Sequence, residues 1–458
     1  MRRASSLLLS ALALALLLAL PGVARANPEP PAIYDARVMG MGGTALATLD
    51  NAAALFHNPA QLDRVNRFSI TGVFTGLLVR LTGSFAGRGS EQDSPLIFAP
   101  LVFAGGVGRV HERVVIGAGA YVYTGFGGGF TDVGCITAGL TQSCEDNPGL
   151  VLDPPRDQEV RLFVAEFTVP VQVSLIPDVL SFGVSLRLPY ANQSVNSDAQ
   201  TPFSDLSRTD QNVSGIGIPG ILAGFSYRPN DDLTLALAYR SKVWIDMDGD
   251  TTLTNPLPGF IDGDTVSLAT STRWYVPHML RLGFAQQLWN DRITLAGEFR
   301  VQFHREANRE QRFELTYSSD DMVQEFALNE LVTDTVARFD WRNVYLGNVG
   351  VEVLATDFLP VRLGFSVASS ASNPATMTAF NPPFGVQVAY YAGLGYRAEN
   401  YTLDFGFSFS GGNDATNDSD GELCVEPTVA TELVPTAGCS GTYDAESYFI
   451  SVSASYNL

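Results

Sequence analysis

Ile293-Thr294-Leu295-Ala296-Gly297-Glu298-Phe299-Arg300-Val301-Gln302-Phe303 alternates with a period of two. The odd positions carry Ile293, Leu295, Gly297, Phe299, Val301 and Phe303, and the even positions Thr294, Ala296, Glu298, Arg300 and Gln302. A helix would mix these sets within one turn, whereas a strand sends them to opposite faces. In Tyr401–Phe409 the same rule sets Tyr401, Leu403, Phe405, Phe407 and Phe409 against Thr402, Asp404, Gly406 and Ser408. At the C-terminus, Tyr448, Ile450, Val452, Ala454, Tyr456 and Leu458 oppose Ser451, Ser453, Ser455 and Asn457.

Alternating runs of this kind recur from Phe68 to Leu458, and the breaks between them alternate in length. Short breaks fall near Val110–Glu112, Ile176–Asp178, Pro229–Asp231, Trp289–Asp291, Thr356–Asp357 and Glu399–Asn400. Long ones fall near residues 85–95, 128–157, 193–212, 249–270, 305–338, 370–383 and 411–444. Six short and seven long connections predict about 14 strands, with tight turns at one end and long loops at the other. The polar face is rich in Ser, Thr, Ala, Gly and Gln, which suits a wet or plugged lumen. A soluble sandwich would instead show charges outside and Val, Ile and Leu inside. The expected fold class is all-β: a transmembrane antiparallel β-barrel, located in a bacterial outer membrane.

Ahead of the alternating region, Arg2 and Arg3 precede an uninterrupted Leu/Ala/Ser run from Leu7 to Leu20, and Ala24-Arg25-Ala26 follows. This reads as a secretory signal peptide over residues 1–26, its apolar run being too short for a spanning helix. Residues 27–66 are rich in Ala, Asn and Pro without sustained alternation, and residues 67–458 form the barrel.

Charged residues make up 17% of the chain and apolar ones 46%, a balance open to either a large soluble core or a lipid-facing wall. The formal charge is -20; without Arg2, Arg3 and Arg25, 25 basic residues face 48 acidic ones. Such a surface repels phosphate backbones, which excludes nucleic acid as a partner. Lys242 is the single lysine. Cys135 with Cys144, and Cys424 with Cys439, are local pairs in Gly-, Asp- and Thr-rich stretches that predict two loop disulfides on the cell exterior. Neither interval has CxxC spacing or a nearby histidine, so no metal site is expected. His57, His111, His278 and His304 lie in separate segments, and no phosphate loop, GxSxG or HExxH occurs, so neither enzyme activity nor a cofactor is expected.

Four stretches carry a resemblance to a known family. The first joins Asp35-Ala36-Arg37-Val38-Met39-Gly40-Met41-Gly42-Gly43 to Leu49-Asp50-Asn51-Ala52-Ala53-Ala54 and Asn58-Pro59-Ala60. The second joins Phe225-Ser226-Tyr227-Arg228-Pro229 to Ala238-Tyr239-Arg240-Ser241-Lys242-Val243 and Asp248-Gly249-Asp250. The third runs from Val276-Pro277 through Arg281-Leu282-Gly283-Phe284 to Trp289, and the fourth from Trp341-Arg342-Asn343 to Arg362-Leu363-Gly364. In this order they resemble the FadL/TodX (OMPP1) family of outer-membrane long-chain fatty acid and hydrocarbon transporters. The terminal Leu458 departs from the aromatic residue with which such barrels often end; Tyr456 shares its face.

The resemblance implies a lumen plugged by residues 27–66, and passive uptake of a hydrophobic small molecule that leaves sideways into outer-membrane lipid. A lateral gap needs a bent strand. Gly125, Gly127 and Gly128 mark such a kink, or else the start of a flexible loop. If the ligand is a fatty acid, its carboxylate needs cations. Parity turns Arg240 and Lys242 inward with Trp244, Asp246 and Asp248, and likewise Arg281, Arg300 and Glu298. Those cations either bind ligand or pair with inward acids and brace the plug. Asn58-Pro59-Ala60 reads as a gate that shifts on binding, or as a fixed turn anchoring the plug. The stretch with Met322, Val323, Phe326, Leu328 and Leu331 reads as an amphipathic helix or as extended strands. Other functions stand beside transport: a non-transporting scaffold for a secretion or surface-protein partner, and an open porin. A barrel closing on itself is expected to be a monomer.

Overall fold

The structure, a computed structural model, describes residues 33–85, 91–135, 151–201, 204–254, 265–318, 335–381, 384–411, 415–418 and 438–458. The expected leader, Cys144, Cys424 and the apolar stretch of residues 322–331 lie outside them.

The chain forms a closed antiparallel barrel of 14 strands. Its first strands are β1 (Phe68–Ser84), β2 (Ile97–His111), β3 (Val114–Cys135), β4 (Val151–Ile176) and β5 (Leu180–Thr201). The next five each come in two pieces. They are β6 (Ser204–Ile216 and Gly220–Asn230), β7 (Leu233–Arg240 and Val243–Thr254) and β8 (Thr265–Val276 and Met279–Leu288), then β9 (Ile293–Gln302 and Glu310–Thr316) and β10 (Thr335–Arg338 and Val344–Thr356). The last are β11 (Leu359–Ser369), β12 (Val386–Arg397), β13 (Tyr401–Ser410) and β14 (Gly441–Asn457). The ring closes where β1 pairs with β14, from Ser69 opposite Asn457 to Thr82 opposite Asp444. The six short turns fall where the sequence places them.

Closure leaves no sheet edge to hydrogen-bond in lipid, so the outward face is free to be apolar. Along β13, Tyr401, Leu403 and Phe405 are exposed while Asp404 and Ser408 are buried, and on β14 Ser451, Ser453 and Ser455 are buried opposite exposed Ile450 and Val452. This is the inverse of a soluble core and agrees with the alternation in the sequence.

Two features differ from the sequence reading. Several strands run on into stretches read as loops, such as β3 to Cys135 and β7 to Thr254. Beyond the lipid, the outer face loses its apolar residues, and with them the signal. The second difference is the set of interruptions in β6 to β10, at residues 217–219, 241–242, 277–278, 303–309 and 339–343. Each reverses the inward parity: Arg240 and Val243 both point in on β7, as do Gln302 and Gln311 on β9. The freed backbone groups find side-chain partners, including His278 Nδ1 for Lys242 N (3.0 Å) and Asn308 Nδ2 for the Tyr275 carbonyl (2.9 Å).

Candidate functional site

Residues 33–66 lie inside the barrel. They form two short helices, α1 (Ala36–Gly40) and α2 (Ala54–His57), then a 3-10 turn over Pro59–Arg64. A segment this short has little core of its own, so the wall orders it. Asp35 caps α1 by accepting from Arg37 N (2.8 Å) and accepts again from Ser453 of β14 (3.1 Å). Arg37 forks onto Glu352 of β10 (3.0 and 3.1 Å), which also accepts from Arg362 and Arg397 (2.6 Å each).

Asn58-Pro59-Ala60 takes the form of an anchored turn. Asn58 Oδ1 accepts from Ala60 N (3.1 Å), while Asn58 Nδ2 donates to the carbonyls of Leu46 (3.0 Å) and Phe225 (3.3 Å). Ser181 of β5 donates to the Ala60 carbonyl (2.9 Å). Two wall glycines make the room: a Cβ on Gly224 would stand 1.9 Å from Asn58 Oδ1, and one on Gly183 2.4 Å from the Pro59 carbonyl carbon.

Three of the four expected cations, Arg240, Arg281 and Arg300, do sit in the lumen, buried and paired with acids. Glu166 of β4 accepts from Arg187 (2.8 Å), Arg240 and the Tyr121 hydroxyl (2.8 Å). Glu298 of β9 accepts from Arg281 (2.7 Å), Arg300 (3.3 Å) and the backbone N–H groups of Ala45 (3.1 Å) and Leu46 (3.3 Å). Each acid thus holds two arginines, and Glu298 also ties the inner segment to the wall. Glu166, Arg187 and Tyr121 were not singled out in the sequence, because nothing local says which inward groups from distant strands will meet. His57 Nε2 donates to the Tyr34 carbonyl (2.7 Å), leaving Nδ1 to accept from Arg281 (3.4 Å). Burial, and then the Arg281 charge, push its pKa well below the usual value, so the imidazole is neutral.

Lys242 is a correction. It falls in the β7 interruption, and beyond it Val243, Ile245 and Met247 face in while Trp244, Asp246 and Asp248 face out. Its ammonium donates to the Glu306 carbonyl (3.0 Å) and lies over the Tyr275 ring at 4.4 Å, while Asp246 pairs with Arg273 (2.5 Å). Parity counted across an unseen two-residue break gave the wrong face.

Beside the arginines an apolar column runs through the otherwise polar lumen. Tyr34 and Tyr121 each touch the rings of Phe56 and Phe103, Tyr123 touches Phe56, and Arg240 lies 4.0 Å over the Tyr123 ring. The same buried cluster continues through Val243, Ile245, Trp274 and Trp341, with Ile218 and Phe339 against it. All these wall residues except Tyr121, Tyr123 and Phe103 come from the upper pieces of interrupted strands or the breaks themselves. The parity reversal is what turns them inward.

Beside this column, β3 parts from β2. Their pairing runs from His111 opposite Val114 up to Phe103 opposite Tyr121 and ends there. Ile97–Val102 remains paired to β1, and the rest of β3 stays with β4 as far as Cys135. Gly127 carries φ +119°, and a Cβ on Gly128 would meet Leu81 at 2.7 Å and Ile97 at 3.1 Å, so β3 bends inward here. Phe130 then stacks edge-on with Phe85 and Phe380, at 5.0 and 5.3 Å between centroids. Gly125, Gly127 and Gly128 thus lie in a bent strand rather than in a loop. The Tyr34 hydroxyl donates to the Val122 carbonyl (2.6 Å), one residue beyond the last β2 pair. Cys439 is buried, and no free cysteine occurs among the described residues.

An apolar-walled closed barrel with a polar lumen, filled by its own N-terminal segment, defines an outer-membrane β-barrel protein. This chain belongs to the outer membrane protein transport protein family (OMPP1/FadL/TodX), whose model matches residues 160–458. No curated protein sequence is significantly similar to it. Among solved structures, a Pseudomonas aeruginosa FadL homologue superposes with a TM-score of 0.67 at 16% identity, covering 95% of this chain and 100% of that one. The Pseudomonas putida toluene transporter TodX gives 0.67 at 16% identity, covering 94% and 100%. The Ralstonia pickettii toluene transporter TbuX gives 0.64 at 16%, covering 93% and 98%. At such identities these structures share the fold.

Proposed function

We propose that this protein carries hydrophobic small molecules passively through the outer membrane and releases them sideways between β2 and β3. The observation that carries this reading is the edge of β3 above Tyr121 that β2 leaves unpaired, which borders the buried aromatic column on one side and the lipid-facing wall on the other. A lipid-like solute gains nothing by crossing an aqueous channel, so exit into the bilayer follows its transfer free energy. The toluene transport of the TodX and TbuX structures fits the same reading.

Within the class of fatty acids and related hydrocarbons, an uncharged cargo fits this lumen better than a carboxylate. Arg187, Arg240, Arg281 and Arg300 already share two buried carboxylates, which an incoming headgroup would have to displace. Residues 33–66 act as the hatch, Asn58-Pro59-Ala60 as its fixed turn, and the barrel works as a monomer. The Cys135–Cys144 and Cys424–Cys439 pairs close external loops as disulfides. Uptake of labelled toluene and labelled long-chain fatty acid, by host cells lacking their own transporter of this type, tests the reading. Faster toluene entry than in cells without the protein is expected, with less effect on the fatty acid. Correct insertion with no effect on either compound contradicts it.

A further inference from the structure

The outer wall carries an arginine groove that neither the lumen nor the lateral gap uses. Arg305, Arg309 and Arg342 line a groove of about 640 Å³ together with Asp340, Asn343 and Ser370. All three arginines are exposed. With one acid among three arginines, it is locally cationic in a chain of net charge -20. Its donors are weakly engaged. Arg309 meets Asp340 at 3.5 Å, Arg342 meets the Asn373 side chain at 3.4 Å, and the Arg305 guanidinium makes no ion pair among the described residues.

Its height on the barrel follows from the same strands. Below it on the outward face come Tyr345, Val349 and Val353 of β10, Val367 and Leu363 of β11, and Val386 and Tyr390 of β12, all exposed and all apolar or aromatic. Above and beside it the outward residues turn charged, with Glu310 and Arg312 on the upper piece of β9 and Arg338 on β10. Tyr345 lines the groove itself and stands where an interfacial aromatic girdle belongs. The arginines therefore lie at headgroup level, at the long-loop end, directly over a strip fit for acyl chains.

We propose that this groove binds the phosphate-bearing headgroup of an outer-leaflet glycolipid, whose acyl chains lie along the β10–β12 wall. Planar guanidinium forks pair with phosphate in bidentate fashion, and Asn343, Asn373 and the serines add neutral partners for sugar hydroxyls. The three arginines offset, at this place, the repulsion between this acidic protein and an anionic leaflet, and the bound lipid covers the wall beside the strand interruptions. The inference rests on the protein's place in the outer membrane and is independent of the transport reading.

The test is native mass spectrometry of the purified full-length protein titrated with lipid A bearing both phosphates, with dephosphorylated lipid A, and with inorganic phosphate as competitor. The expected result is retention of the phosphorylated lipid that falls about tenfold or more in an Arg305→Ala/Arg309→Ala/Arg342→Ala variant. The dephosphorylated lipid should bind the unaltered protein no better than the phosphorylated lipid binds that variant. These arginines are exposed, so the variant should keep its heat-resistant mobility on gels; an Arg342→Lys variant retaining intermediate affinity is a second check. Equal retention by the triple variant, or by the dephosphorylated lipid, overturns the proposal. Displacement by inorganic phosphate at comparable concentration also overturns it, by assigning the groove to free phosphate.

Discussion

The Tyr34 hydroxyl donates a 2.6 Å hydrogen bond to the Val122 carbonyl, joining the inner segment to the wall one residue above the point where β2 and β3 stop pairing. A hatch side chain thus bonds a wall carbonyl at the height where β2 leaves β3. The position of the N-terminal segment and the bend of β3 are thereby coupled. Tyr34→Phe should remove about 1 kcal/mol of this coupling. Hydrogen exchange should then quicken in β3 above Tyr121 while the β4–β5 ladder stays unchanged. Unchanged exchange in β3 would show that the bend holds itself.

Gly224→Ala should dislodge the hatch turn without breaking the barrel. The added Cβ overlaps Asn58 Oδ1, and overpacking of this sort costs about 1–3 kcal/mol. Protease cleavage within residues 33–66 should speed up, while the barrel keeps its heat-resistant gel mobility.

Glu298→Gln leaves Arg281 and Arg300 buried without a counter-charge, and breaking such a group costs about 3–5 kcal/mol. It also weakens the tie to Ala45 and Leu46. Ion conductance in planar bilayers should rise as the inner segment loosens. Deleting residues 33–66 should raise it further, whereas high conductance in the unaltered protein would remove the plug from the account.

Acid should loosen the same segment through His57. Its pKa when buried lies well below its value when released, so the released state binds more protons and is favoured as pH falls through about 6.5. Docking is therefore complete above that range and weakens below it. Protease sensitivity of residues 33–66 measured against pH should show this, and His57→Gln should flatten the profile.

Much of the barrel was legible because lipid imposes a simple rule: Phe299 out, Arg300 in, for as long as the wall contacts hydrocarbon. The rule fails where the strand leaves the lipid, as in Asp246 and Asp248, and at interruptions only two residues long such as Ser241-Lys242. Pro219 and Pro277 were audible signals of two of these breaks, since proline removes a ladder donor. Ser241-Lys242 gave none; there Arg187 reaches across from β5 to the Ser241 carbonyl at 2.7 Å. In the site, Arg240, Arg281 and Arg300 were found from parity, but Arg187, and Glu166 as the partner of Arg240, could be assigned only once the wall had closed. The turn at Asn58-Pro59-Ala60 was visible as a motif, and its fixed state became clear from Gly183 and Gly224 on the opposing strands.

The central claim is passage between β2 and β3, and a reversible staple tests it most directly. Val102 and Val122 each lie one residue beyond the last β2–β3 pair, Phe103–Tyr121, so Val102→Cys with Val122→Cys puts two thiols at the mouth of the gap for oxidation to a bridge. With the bridge verified by mass spectrometry, toluene uptake should fall at least about tenfold, a barrier of ~1.4 kcal/mol or more, and recover on reduction. Undiminished uptake through the bridged protein would contradict lateral release at this place.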